Sequence, residues 1–162
     1  MEFSYATTPD YDFVTDRLAV GGSIFTRENF EALMRAGFTH IINTQIEFDD
    51  QTLSRGTDHE PAILWLPTDD DFLPKPFEFF DRGVRYALDV LDQPESKLLI
   101  HCASGIHRGP LLALAILRVL GYDPRTALSL MRARRPQADF PGVYLDSVEV
   151  FLAEWEVNQQ SS

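Results

Sequence analysis

The sequence holds a single cysteine, Cys102, among its 162 residues. No intrachain disulfide can form and a four-cysteine zinc site is excluded, so this thiol is either a small buried apolar group or a working nucleophile. Positive charge is scarce as well: 14 Lys and Arg stand against 25 Asp and Glu, a formal net charge of -11. Such a balance repels nucleic-acid phosphates and anionic lipid surfaces, so an anionic substrate has to be small and captured locally. With only four His, a metal centre is not expected. The longest apolar run, Leu111 to Leu117, is too short to cross a bilayer. The opening MEFSYATTPDYDF has neither the basic nor the apolar region of a leader, and the closing NQQSS is no lipidation signal. The expectation is a cytoplasmic monomer that binds neither nucleic acid nor membrane.

What is present fits one globular unit. A composition of 44% hydrophobic and 24% charged residues suits a packed core. No repeat, low-complexity tract or flexible linker divides the chain. We expect a single domain over 1–162, with its core between about 13 and 155.

Phe13 to Val20 reads as a strand before a turn at Gly21-Gly22. A helix follows from about Thr26 to Ala36, with Gly37 as its cap. Thr39 to Thr44 and Ile63 to Leu66 read as buried strands. Phe77, Phe80, Val84, Leu88 and Leu91 recur at helical spacing after Pro76, and Leu98 to Ile100 supplies another strand. Arg108 to Leu120 is apolar nearly all round, as a helix buried on every side requires, and Gly121 ends it. Asp123 and Pro124 open a further helix, and Tyr144, Val148, Phe151 and Trp155 share one face of the last. Strands alternating with helices predict an α/β fold with a largely parallel sheet.

Chemistry concentrates in His101 to Pro110, HCASGIHRGP, between an apolar strand and a buried helix. A loop there gathers backbone N–H groups and the positive helix end into one anion site. Cys102 would sit in that field, where a thiol ionises more readily to its nucleophilic form. Arg108 can clamp anion oxygens with its planar fork, and Gly105 permits the tight bend. Gly21-Gly22 reads as a turn, since no Lys-Ser/Thr follows it.

This Cys-x5-Arg loop, with His before the Cys and Gly three residues after it, resembles the signature of cysteine-dependent protein tyrosine and dual-specificity phosphatases. VTDRLAVGG, a helix, FTHIINTQ and the later helices also match small dual-specificity phosphatases in order, so the resemblance covers roughly Phe13 to Trp155. It implies a protein tyrosine phosphatase-like fold and a cysteinyl-phosphate mechanism on phosphorylated proteins or peptides, at phosphotyrosine and also at phosphoserine or phosphothreonine, without metal or cofactor. Cys102 would be nucleophile and Arg108 the anion clamp. Ala103, Ser104, Gly105, Ile106, His107 and Arg108 would form the phosphate cradle, with His101 behind it orienting the loop and supporting the thiolate, and Gly109 directly after the Arg. The general acid would be an Asp about thirty residues before the cysteine; Asp69, Asp70 and Asp71 are candidates, and Asp70 matches the family position best.

Locally the loop is most similar to phosphatases of regenerating liver, which have two Asp after a Trp-containing strand and a small residue plus Pro after the loop Arg. Here these are Trp65, Asp69, Asp70, Gly109 and Pro110. That subgroup carries a second cysteine able to pair with the nucleophile and a prenylated terminal one, and this sequence has neither. Most family members place Ser or Thr after the Arg, where a hydroxyl stabilises the leaving thiolate; Gly109 has none. A phosphoinositide or inositol phosphate phosphatase shares the chemistry, although such enzymes usually carry Lys inside the loop. A non-catalytic phosphoprotein-binding module stays open because of Gly109. Sulfurtransferases have no need of Asp70, and arsenate reductases recycle through further cysteines. His107 is read as a solvated rim residue, and Arg134-Arg135 as a second phosphate contact or a charged helix end.

Overall fold

The computed structural model describes residues 8–55 and 62–160; the chain ends, on which the reading of the termini rests, lie outside the described residues. Five strands form one sheet in the order β1-β2-β5-β3-β4. They are β1 Tyr11–Phe13, β2 Leu18–Gly21, β3 His40–Gln45, β4 Ala62–Thr68 and β5 Leu98–His101. β2, β5, β3 and β4 run parallel, and β1 joins the edge antiparallel to β2. The expected continuous strand from Phe13 to Val20 is therefore corrected to a hairpin. The Val14 and Thr15 N–H groups donate to Leu18 O at 2.8 and 3.2 Å, and Thr15 Oγ1 accepts from Leu18 N at 3.1 Å. Those local bonds reverse the chain before a longer ladder can form.

The described helices are α1 Arg27–Arg35, α2 Gln51–Ser54, α3 Phe77–Leu91, α4 Arg108–Val119, α5 Pro124–Arg134 and α6 Gly142–Gln160. Thr26 caps α1 by accepting from Asn29 N at 3.1 Å, and Asp123 caps α5 by accepting from Thr126 N at 2.9 Å. Capping oxygens satisfy N–H groups that the first helical turn leaves unpaired. α2 was not foreseen: four residues carry no apolar periodicity to read.

The strand pleat sorts side chains to two faces. Ala19, Ile41 and Leu99 pack with Phe30 and Leu33 of α1. Leu18, Val20, Ile42, Leu98 and Ile100 pack on the other side with Phe80 and Val84 of α3, Leu112 and Ile116 of α4, and Phe151 of α6. Both faces of the parallel strands are covered, which is why they read as unbroken apolar runs. α4 is buried from Arg108 through Leu117. Each of its large apolar side chains contributes about 1.5–3 kcal/mol of burial, which fixes the loop before it on a rigid base. Because the four parallel strands end on one edge, they deliver Gly22, Glu47, Asp70 and Cys102 to that edge.

Candidate active site

Cys102 follows β5 directly, is 2% exposed, and donates its N–H to Gly21 O at 3.2 Å. The loop beyond it presses against β2 and the end of α5, and glycine is required at two points. A Cβ on Gly21 would lie 2.2 Å from Asp10 O; one on Gly105, whose φ is +71°, would lie 2.1 Å from Arg135 Nη2. Along the loop every carbonyl from Ala103 to Ile106 is held from outside. Ala103 O accepts from Ser23 N at 2.9 Å, Ser104 O from Arg135 Nη2 at 3.3 Å, Gly105 O from Arg135 Nε at 3.1 Å, and Ile106 O from Asp139 N at 2.9 Å. The described peptide bonds are trans. In a trans peptide the N–H points opposite to the C=O, so the N–H groups of Ser104, Gly105, Ile106 and His107 turn together to the other side. A run of convergent amides is an anion nest.

Arg135 corrects an expectation. It neither meets solvent nor is free for a second phosphate: it is 0% exposed and also donates to Asp10 Oδ1 and Oδ2 at 2.8 and 2.9 Å and to Asp12 Oδ2 at 3.0 Å. The backbone leaves the helical conformation after α5, which carries the side chain under the loop. Burial opposes its charge, but the hydrogen bonds and charges of Asp10 and Asp12 outweigh burial and raise its pKa.

Arg108, 5% exposed, opens α4. Nη1 and Nη2 donate to Glu47 Oε2 and Oε1 at 3.0 and 2.7 Å, and Nη1 also donates to Thr68 O at 2.9 Å. Nε is buried without a hydrogen-bond partner among the described residues. A guanidinium carries five N–H donors in a fixed plane. Glu47 takes the end of the fork and leaves the Nε/Nη2 edge, two parallel donors matched to two oxygens of an anion. Burial works against the Arg108 charge, yet the Glu47 hydrogen bonds and the charges of Glu47, Cys102 and Asp70 prevail and raise its pKa. Glu47 responds in the opposite sense, with Arg108 as the main cause of its lowered pKa.

The three consecutive aspartates separate by their contacts. Asp71 Oδ1 accepts from Leu73 N and from Lys75 Nζ, both at 3.0 Å, and the Leu73 amide and Lys75 hold its carboxyl below the usual range. Asp69 lends its carbonyl to Lys75 Nζ. Asp70 turns the other way, toward Tyr144 of α6 and His107 of the loop. The Tyr144 hydroxyl donates to Asp70 Oδ1 at 2.8 Å and accepts from Phe72 N at 3.0 Å, while His107 Nδ1 lies 2.9 Å from Asp70 Oδ2. Burial, with Asp70 and Asp71 beside it, pushes the Tyr144 phenol up to about 12, so it stays a donor at any working pH. Lys75 N donates to Ser147 Oγ at 2.9 Å, a second tie of the acidic loop to α6. His107 is thus a bonded residue rather than the solvated one expected.

His101 is fully buried. Its Nε2 is hydrogen-bonded to Asp50 Oδ2, its Nδ1 lies 3.3 Å from Cys102 O, and its carbonyl accepts from Thr44 Oγ1 at 2.8 Å. Gly109 lies buried in the first turn of α4. Glu47, Asp50 and Tyr144 escaped the sequence: the first two lie in the polar run IEFDD, and Tyr144 reads as one more apolar position of α6. Among the described residues no group of three or more His, Cys, Asp or Glu is arranged to hold a metal ion.

Sheet order, loop and acidic residue together define the class, the fold of the cysteine-dependent dual-specificity phosphatases. No protein-family model matches the chain. It is 31% identical over 124 residues to mouse dual specificity protein phosphatase 13B, a match that takes in 70% of this chain and 58% of that protein. The chain therefore spans less than two thirds of this relative's length. The human DUSP28 structure superposes with a TM-score of 0.76 at 19% identity over 91% of this chain and 96% of that one. PTPMT1 in complex with PI(5)P superposes with a TM-score of 0.76 at 15% identity over 94% and 99%. In sequence and in fold, the chain is a relative of the dual-specificity phosphatases.

Proposed function

We propose that the chain is a cytosolic protein phosphatase that hydrolyses phosphotyrosine, and also phosphoserine or phosphothreonine, through a cysteinyl-phosphate. The observation that carries this reading is the free Nε/Nη2 edge of Arg108 at the head of a loop whose outer carbonyls are all occupied, with Cys102 at the loop's start. Inward amides and Arg108 hold the three equatorial oxygens. Cys102 attacks phosphorus as the thiolate: an S–P bond forms, the P–O bond to the leaving group breaks, and Asp70 protonates the departing oxygen. Water then attacks phosphorus, Asp70 takes its proton, and Cys102 leaves as thiolate with inorganic phosphate released.

The PTPMT1 complex and the shared chemistry keep a phosphoinositide reading in view. Against it stand the absence of Lys inside the loop and the exposed carboxylates of Glu47 and Asp139 at the rim, which repel a second phosphate. The deciding experiment gives purified protein a phosphotyrosyl peptide, an aryl phosphate and PI(5)P vesicles. Turnover of the first two, abolished by Cys102→Ser and unaffected by EDTA, is expected. Turnover of PI(5)P alone would move the substrate to lipid, and none at all would leave a binding module.

A further inference from the structure

His107 ends the loop with both ring nitrogens against carboxylates, Nδ1 at 2.9 Å from Asp70 Oδ2 and Nε2 at 3.3 Å from Asp139 Oδ2. The ring is 18% exposed and held edge-on by Phe72 at 5.2 Å and Tyr144 at 6.3 Å between centroids. A neutral imidazole has one N–H and one lone pair, so it cannot donate to two carboxylates at once. With the proton kept off Asp139, whose side chain is 70% exposed to water, two arrangements satisfy every contact. In one, an imidazolium donates to both carboxylates. In the other, Nε2–H donates to Asp139 while a protonated Asp70 donates to Nδ1. They differ only in which side of the Asp70–His107 hydrogen bond holds the proton, and Tyr144 donates to Asp70 Oδ1 in both.

We infer that Asp70 and His107 hold one proton jointly and act as a single general acid, His107 being the positioning residue that aims and supplies Asp70. The inference rests on Asp70 as the acid of the reaction proposed above. As the P–O bond breaks, the Asp70 proton passes to the leaving oxygen; where that proton began on His107, it crosses to Asp70 along the hydrogen bond. In the second half-reaction the proton from attacking water returns to the pair, so the cycle closes without another acid. The charged and titratable groups around the pair are Asp139 between α5 and α6, Tyr144 on α6, Asp71 on the acidic loop, Lys75 over the Tyr144 ring, and Arg108 and Cys102 of the loop itself.

The test compares pH profiles of kcat/KM for wild type, His107→Gln and Asp139→Asn on a phosphotyrosyl peptide and on an activated aryl phosphate. Gln keeps an N–H for Asp70 but cannot carry the proton. The alkaline limb of His107→Gln should move down by about one pH unit, with about tenfold lower kcat/KM on the peptide at neutral pH and a smaller loss on the aryl phosphate. Asp139→Asn should move the limb the same way by less, which keeps the test informative should the loop variant fold poorly. Asp70→Ala with His107→Gln should be no slower than Asp70→Ala alone. An unmoved limb in both single variants, or equal losses on both substrates with weakened vanadate inhibition, would overturn the inference and leave His107 a loop-shaping residue. Failure of the phosphatase reading looks different: wild type would not hydrolyse the peptide, or Asp70→Ala would not slow it.

Discussion

Arg135 fills the space that a side chain at position 105 would need, its Nη2 lying 2.1 Å from where a Gly105 Cβ would be built. The two residues form one device: the glycine admits the guanidinium, and the guanidinium holds the loop carbonyls outward. Arg135→Met leaves Asp10, Asp12 and two carbonyls without their donor. Removing one partner of a buried pair costs about 3–5 kcal/mol, and the part-exposed aspartates place this case toward the lower end. Urea unfolding should show that loss. Vanadate inhibition of any folded fraction should weaken as well, and unaltered inhibition would mean the loop keeps its shape without Arg135.

Tyr144→Phe keeps the parallel stack on Phe72, 5.8 Å between centroids, and removes the hydroxyl that bridges Phe72 N and Asp70. The neutral bond from Phe72 N is worth about 0.5–1.5 kcal/mol of stability, and the bond to the Asp70 carboxyl up to about 1.5–3 kcal/mol where that group is ionised. The kinetic loss should be larger for a phosphotyrosyl peptide than for an activated aryl phosphate, because the variant disturbs the aim of Asp70, the proposed acid. Equal kcat on the peptide for variant and wild type would disconnect Tyr144 from proton transfer.

In the proposed hydrolysis of the cysteinyl-phosphate, Gly109 offers no hydroxyl to the leaving thiolate. A hydrogen bond to a charged group is worth about 1.5–3 kcal/mol, so its absence slows that step roughly 10–100-fold. Stopped-flow mixing with a good aryl phosphate should therefore show a stoichiometric burst. Gly109→Ser should raise kcat, and the backbone accepts it: the new Cβ would meet Ile100 O at 3.4 Å and His101 at 3.5 Å, ordinary contacts, with no positive φ. No burst, together with an unchanged kcat in a folded Gly109→Ser, would assign thiolate stabilisation to another group.

Glu47 carries the acid-side dependence of the Arg108 fork. Its folded-state pKa is lowered, chiefly by the Arg108 hydrogen bond. The pair's stabilisation is therefore complete above the unfolded carboxylate value, about 4.3, and is lost as pH falls through the lower folded value. Glu47 is 45% exposed, so solvent screening limits the effect to about 1 kcal/mol or less. Thermal melts should separate wild type from Glu47→Gln at neutral pH and converge below pH about 4. A gap that widened with acid would reverse the sign.

Local signals were legible wherever one stretch of chain held all of the information. The helix openings at Thr26 and at Asp123, the helical recurrence of Phe77, Phe80 and Val84, and the unbroken apolar run of α4 each depend on neighbours a few residues apart, so local pattern reveals them. The loop from Cys102 to Arg108 was legible for the same reason, whereas Asp70 stood out from its two neighbours only through the family resemblance. The hairpin at Val14 to Arg17 and the short α2 were missed because their bonds leave no periodic trace.

Partners brought from distant parts of the chain were decided by tertiary structure alone. Asp10 and Asp12 meet Arg135, Glu47 meets Arg108, Asp50 meets His101, and Tyr144 meets Asp70. A tyrosine at an apolar position of α6 looks like core because its ring is core; only the packing of α6 against the acidic loop shows where its hydroxyl ends. The sequence by itself determined the place of Cys102, between a buried strand and a buried helix, since strand, turn and helix are specified by short-range pattern. Which carboxylate faces the loop and which cation lies beneath it depend on how parallel strands align their ends, a relation set by long-range packing that no local pattern encodes.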